Sequence, residues 1–213
     1  MSSVAVIDYG MGNLHSIAKA LHFVAPESSI YVSSDPDTIQ KADRVVFPGV
    51  GAIRDCMLQL SDLNLIDVIR KVARNKPFLG ICLGLQALLD FSEESGRVEC
   101  LGLFPGTVVR FENACGSDGN PLKIPHMGWN IVNQTHDHPL WQGIPQQSRF
   151  YFVHSYHAET ADRNSIAATT DYPAPFACAL ARDNLFAVQF HPEKSQTLGL
   201  KFLQNFTTWN GNS

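Results

Sequence analysis

Phe78-Leu79-Gly80-Ile81-Cys82-Leu83-Gly84-Leu85-Gln86 is the stretch on which the fold turns. A strand-sized apolar run, Phe78 to Ile81, passes with no intervening loop into a helical pattern, Leu83 to Leu89, with one cysteine between two glycines at the junction. Such a tight strand-to-helix turn belongs to an α/β sheet. Toward the N-terminus the same alternation repeats. Val4-Ala5-Val6-Ile7 is a continuous apolar run, as in a strand buried on both faces, and it ends at Asp8-Tyr9-Gly10. Leu14, Ile17, Ala18, Leu21 and Val24 recur at helical spacing behind Asn13, a natural N-cap. Ile30 to Val32 and Val45 to Phe47 read as further strands, the latter stopping at Pro48-Gly49. Helical spacing returns through Ile53, Met57 and Leu60, then through Leu65, Ile66, Ile69 and Val72. This β-α repetition predicts a three-layer sandwich with a mostly parallel central sheet flanked by helices.

Beyond Gly96 the pattern changes. Thr107 to Phe111, Phe150 to Val153, Phe176 to Leu180 and Leu185 to Phe190 are short β-rich runs separated by Gly, Pro and Asn, which predicts an additional antiparallel strand region in the C-terminal half. Glu112 to Pro121 reads as a polar loop, and Ser195 to Trp209 as a closing amphipathic helix on Leu198, Phe202, Leu203 and Phe206. With no repeat and no linker, residues 1–213 are expected to form a single domain.

Composition removes whole classes of function. With 45% apolar and 17% charged residues the chain can bury enough surface to offset its ordering entropy, so it is not disordered. A net charge of −4, with 16 Lys and Arg scattered along the chain, offers no patch for nucleic acid. No apolar run approaches the roughly 20 residues of a membrane helix. Asp8 follows the first apolar run with no basic stretch before it, so a secretory signal is not expected. The five cysteines are odd in number, irregularly spaced and without a CxxC pair, which supports neither a zinc site nor a disulfide framework. A protein of the reducing cytoplasm, without metal or cofactor, is the expectation.

Gly80-Ile81-Cys82-Leu83-Gly84 has the form of a nucleophile elbow with Cys in place of Ser. The turn demands small flanking residues and lifts the central side chain above the sheet. Unpaired N–H groups and the dipole at the helix start favour a sulfur in its anionic form, and the Leu83 N–H is placed to bond an oxyanion. A base and its orienter are required as well. Val188-Gln189-Phe190-His191-Pro192-Glu193 offers both at the end of another strand, where residues two apart in an extended chain share a side and Glu193 can accept from His191. In Pro48-Gly49-Val50-Gly51 the glycines allow close backbone approach, and Val50 is expected to supply the second oxyanion donor.

Together, the Gly80-to-Gln86 elbow, the Pro48-to-Gly51 loop and His191-Pro192-Glu193 resemble the triad-type (class I) glutamine amidotransferases, a flavodoxin-like α/β family. Asp8-Tyr9-Gly10-Met11-Gly12-Asn13-Leu14, Pro125-His126-Met127-Gly128-Trp129-Asn130 and Tyr151-Phe152-Val153-His154-Ser155-Tyr156 are similar, more narrowly, to the glutaminase subunits of imidazole glycerol phosphate synthases of histidine biosynthesis. The resemblance runs from Val4 to about Phe206. It implies that Cys82 attacks the glutamine carboxamide to form a glutamyl thioester, and that His191 moves the protons with Glu193 as orienter. It further implies that Gly49, Gly51, Gln86, Ser155 and Tyr156 hold glutamine. The implied partner is a (β/α)8-barrel cyclase subunit, joined in a heterodimer, which uses the ammonia to turn a phosphoribulosyl formimino carboxamide ribotide into imidazole glycerol phosphate and aminoimidazole carboxamide ribotide. Asn13, Trp129, Tyr156 and Lys194 lie in segments that resemble the partner-facing surface.

Other readings account for less of the sequence. Gly10-Met11-Gly12 suggests a dinucleotide site, but His15 stands where the third glycine of G-x-G-x-x-G belongs. His136-Asp137-His138 has no third metal ligand at a defined spacing. A stand-alone cysteine hydrolase acting on glutamyl amide or peptide bonds would use the same elbow and triad. The remaining alternatives are a paralogue supplying ammonia to a nucleotide-sugar pathway and an inactive supporting subunit.

Overall fold

Along the first strand, successive side chains enter two different cores. Val4 and Val6 pack in one, with Ile17 and Leu21, while Ala5 and Ile7 pack in the other, with Ile53 and Leu60. A strand buried on both faces is therefore apolar without interruption. The computed structural model describes residues 2–111 and 122–212; the polar loop at 112–121 and Cys115 lie outside the described residues.

The N-terminal half runs β1 (Ser3–Ile7), α1 (Leu14–Val24), β2 (Ser29–Ser33), α2 (Pro36–Lys41), β3 (Arg44–Gly49), α3 (Ile53–Asp62), α4 (Ile66–Ala73), β4 (Phe78–Cys82) and α5 (Leu83–Gln86). Then come β5 (Phe91–Ser92), β6 (Val98–Glu99), β7 (Thr107–Arg110), β8 (His126–Gln134), β9 (Ser148–His154), β10 (Tyr156–Glu159), β11 (Ile166–Asp171), β12 (Pro175–Arg182), β13 (Leu185–Val188) and α6 (Gln196–Thr208). Strands β2-β1-β3-β4-β13 are all parallel and lie in that order. This is the flavodoxin-like sequence of a doubly wound sheet. The α1 and α6 side chains cover one face and those of α3 and α4 the other, giving three layers. The antiparallel region is built by β12 on β13, by β10 and β11 on β12, and by β8, which pairs with both β11 and β9.

Asn13 caps α1, its side chain accepting from the Ser16 N–H. The predicted helix Leu83 to Leu89 is shorter, ending at Gln86. The N–H groups of Leu88 and Leu89 bond to carbonyls three residues back, and the Asp90 N–H leaves for Gly106. One helical turn supplies local N–H donors there, with little cumulative dipole behind them. α2 is unanticipated, although Asp35 caps it and Pro36 opens it, a pairing the sequence displays. β8 is unanticipated too, because its apolar residues Met127, Trp129 and Ile131 face outward.

Register then places the site. Gly49 pairs with Cys82, and Ile81 with Val188, so the carboxyl ends of β3, β4 and β13 lie level at one edge of the sheet. That edge is where ligand sites of open α/β sheets form.

Candidate active site

Cys82 ends β4 at φ 54° and ψ −107°, a backbone state that a side-chain-bearing residue adopts only when its surroundings impose it. The surroundings are visible at Gly84. A Cβ there would lie 1.9 Å from the Phe47 carbonyl oxygen, so the chain turns only because residue 84 has none.

His191 and Glu193 meet, Nδ1 to Oε1 at 2.8 Å, with both side chains buried. The expected cause is corrected. Glu193 lies within a single 3-10 turn, Pro192–Lys194, so it curls under the ring instead of projecting from an extended chain. Strand β13 stops at Val188, before the predicted Phe190, which leaves room for that turn. Burial alone depresses the His191 pKa. The Cys82 sulfur, when anionic, and the Glu193 carboxylate outweigh burial and raise it to about 10. Among the described residues, His191 Nε2 has no hydrogen-bond partner. Ser195 clamps the turn, donating to the His191 carbonyl at 2.7 Å and accepting from the Tyr151 N–H at 3.0 Å.

A cleft of about 480 Å³ opens on the cysteine, and Val50, Gly51, Cys82, Leu83, Gln86, Ser155, Tyr156 and Lys194 all line it. Its size suits a small-molecule substrate. Gly49 does not line it but lies packed just beneath, where a Cβ would sit 2.1 Å from Tyr9 Oη. The buried Tyr9 hydroxyl donates to the Pro48 carbonyl at 3.0 Å, and burial raises its pKa far above the ordinary phenol value. Tyr9 thus props the loop from below, a role that sequence reasoning missed although Asp8-Tyr9-Gly10 was in view.

Asn13 lies outside the cleft, at the head of α1. Trp129 is also outside it. The residue is 38% exposed, which rules out plain core packing, and it borders a groove with Arg149, Ser195 and Leu198. Tyr151 links it to the cleft, 6.2 Å from the Trp129 ring and 6.0 Å from Lys194 Nζ. His154 and His126 form a buried pair, Nε2 to Nδ1 at 3.0 Å, and burial depresses their pKa values to about 3 and about 4. Among the described residues no His, Cys, Asp or Glu cluster could hold a metal ion, His136-Asp137-His138 included, and no helix is long and apolar enough to cross a membrane.

Residues 5–209 match the family described as glutamine amidotransferase class-I. The chain belongs to this family. Two relatives of this amidotransferase are named imidazole glycerol phosphate synthase subunit HisH. That of Methylococcus capsulatus is 63% identical over 98% of this chain and 97% of its own length. That of Nitrosococcus oceani is 62% identical over 99% of each. Among solved structures, PurLQS from Thermotoga maritima superposes with a TM-score of 0.69 at 18% identity, covering 96% of this chain and 97% of that one. The glutaminase domain of Trypanosoma brucei CTPS gives 0.63 at 18% identity, covering 97% and 94%. At those identities the likeness speaks for the fold alone, and the amidotransferase has the class I fold.

Proposed function

We propose that this chain hydrolyses glutamine as the ammonia-producing subunit of an imidazole glycerol phosphate synthase, residues 1–213 acting as one glutaminase domain in the cytoplasm. The observation that carries this reading is the buried His191–Glu193 pair, whose charged form the Cys82 sulfur favours, together with Cys82 itself on its positive-φ turn at the wall of a cleft of substrate size. Relatives at 62% and 63% identity that bear the synthase name support the assignment to that complex.

In this mechanism His191 Nε2 holds the proton given up by Cys82, and the anionic Cys82 Sγ adds to the carboxamide carbon of glutamine. The carbonyl oxygen becomes an oxyanion, held by the backbone N–H groups of Leu83 and Val50. His191 returns the proton to the amide nitrogen, ammonia departs, and a γ-glutamyl thioester remains on Cys82. Water, deprotonated by His191, then attacks the thioester carbon; the C–S bond breaks and glutamate leaves. Glu193 keeps the ring oriented and favours its cationic form. Gly51, Gln86, Ser155 and Tyr156, which line the cleft, hold the substrate, and Gly49, expected to join them, supports the loop from beneath instead. The Gly49–Val50 peptide serves as the switch, since glycine permits the flip that aims the Val50 N–H at the oxyanion.

The partner is a (β/α)8-barrel cyclase subunit, docked as a heterodimer over Asn13, Trp129 and Lys194. Met127, Trp129 and Ile131, exposed side by side along one face of β8, support an apolar docking surface there. Direct transfer has a physical reason: ammonia released into neutral water is protonated and loses its nucleophilic lone pair.

Glutamate release should be measured with the chain alone, with a (β/α)8 cyclase, and with the cyclase plus its ribotide ligand. The proposal expects strong dependence on both. Equal turnover without them would favour a stand-alone hydrolase, and silence throughout an inactive supporting subunit.

A further inference from the structure

Behind the nucleophile, a carbonyl that can only accept sets the direction of a buried hydrogen-bond chain. The Tyr156 carbonyl takes hydrogen bonds from His154 Nδ1 at 2.7 Å and from Gln86 Nε2 at 3.0 Å. Gln86 must therefore turn its NH2 group inward, and the same Nε2 reaches Gln189 Oε1 at 3.1 Å. With its oxygen so engaged, Gln189 aims its own NH2 at the nucleophile, Nε2 to Cys82 Sγ at 3.6 Å. Gln189 is fully buried and directly follows Val188, which pairs with Ile81; its backbone N–H is tied to the Cys178 carbonyl at 2.8 Å. An unpaired amide would be costly at such a place. Here both ends of the amide are used, one on the nucleophile and one on a residue lining the cleft.

The geometry points to Gln189 as a positioning residue for glutamine cleavage, its amide holding the Cys82 sulfur by an N–H···S bond and locking Gln86 with Oε1 available to the substrate. Gln86 Oε1 accepts no hydrogen bond among the described residues, so it is left to take an N–H from the bound substrate. A donor to sulfur bonds more strongly as the sulfur gains negative charge, so this contact favours the attacking form and fixes its direction. It is released as the sulfur becomes a neutral thioester, and it is regained when the product leaves. The inference rests on the glutaminase reading of the same cleft.

Two variants separate the two ends of the amide. Gln189→Leu removes both. Gln189→Glu keeps an acceptor for Gln86 but turns an ionised, acceptor-only oxygen toward the sulfur. The full-length chain is alkylated with iodoacetamide from about pH 6 to about pH 9, and the Cys82 peptide is followed by mass spectrometry. Glutamate release is measured in the complex with the cyclase and its ribotide. For both variants the expected result is Cys82 alkylation slowed by about tenfold near neutral pH, with its half-maximal pH moved upward. KM for glutamine rises by about tenfold in the Leu variant and stays within about twofold in the Glu variant, because only the former frees Gln86. Wild-type alkylation rate and pH profile in a folded Gln189→Leu chain would overturn the inference. Should that variant fail to fold, the same result in the near-isosteric Gln189→Glu chain decides against it. Absence of glutamate release by the wild-type complex would instead sink the glutaminase reading, leaving the alkylation result to judge the Gln189–Cys82 contact by itself.

Discussion

His191 is a histidine whose charged form the fold favours. Its pKa stands at about 10 against an ordinary 6.5, so its stabilising contribution is complete below pH 6.5 and fades as pH climbs toward about 10. Denaturant midpoints of wild type and His191→Gln should therefore lie furthest apart below pH 6.5 and converge with rising pH; a gap that widens toward alkaline pH would contradict the imidazolium assignment. At Val50 the expected loss is kinetic. Val50→Pro deletes the N–H assigned to the oxyanion, so partner-stimulated turnover should fall by about 100-fold or more while KM for glutamine changes little. Steady-state glutamate release checks it, and wild-type stimulated turnover would discard the switch. Both residues were legible as candidates in the sequence. The 3-10 turn that brings Glu193 under His191 was not, because a tripeptide carries no record of where its strand ends.

Among the elements, α6 meets the His191–Glu193 turn at Gly199. A Cβ there would lie 1.9 Å from the Pro192 carbonyl oxygen and 2.7 Å from Ser195 Cβ. Gly199→Ala should thus push the helix off the turn, destabilise the chain by about 1–3 kcal/mol and slow glutamate release. Exposed Thr197→Ala is the control expected to do neither. Thermal unfolding with an activity assay reads both; an unperturbed Gly199→Ala chain would mean that the turn can shift freely. Elements with a regular apolar period, such as β1, β4 and α1, were readable, since period and burial coincide there. β8 was not, because its alternation is inverted: Met127, Trp129 and Ile131 face outward while His126 is buried.

At the scale of the whole molecule, stability should peak near neutral pH. His126, His138 and His154 are held neutral by burial, with pKa values near 4, 4 and 3, and His157 is shifted the same way. A depressed histidine pKa means that the unfolded chain binds more protons below pH 6.5, so stability is lost as pH falls from there toward about 4. Urea midpoints should drop between pH 7 and pH 5, and less so in His154→Gln. An unchanged midpoint would contradict the burial of these rings as neutral groups. Docking belongs to the same scale. Trp129→Ala should weaken the complex with the cyclase by about 2 kcal/mol while leaving the melting curve of the isolated chain in place. Calorimetric titration measures it, and full affinity would move the docking surface elsewhere.

The sequence alone determined the parallel sheet and the strand-to-helix elbow at Cys82, because both are local. A strand buried on both faces must be apolar throughout, and a turn this tight must have glycine at position 84. The tertiary structure decided what meets across the sheet: Gly49 level with Cys82, Tyr9 beneath the Pro48 carbonyl, and Gln189 joining Gln86 to the sulfur. Those contacts span dozens of residues. Their partners are ordinary polar side chains that become specific only when strand register and burial bring them together and deny them water.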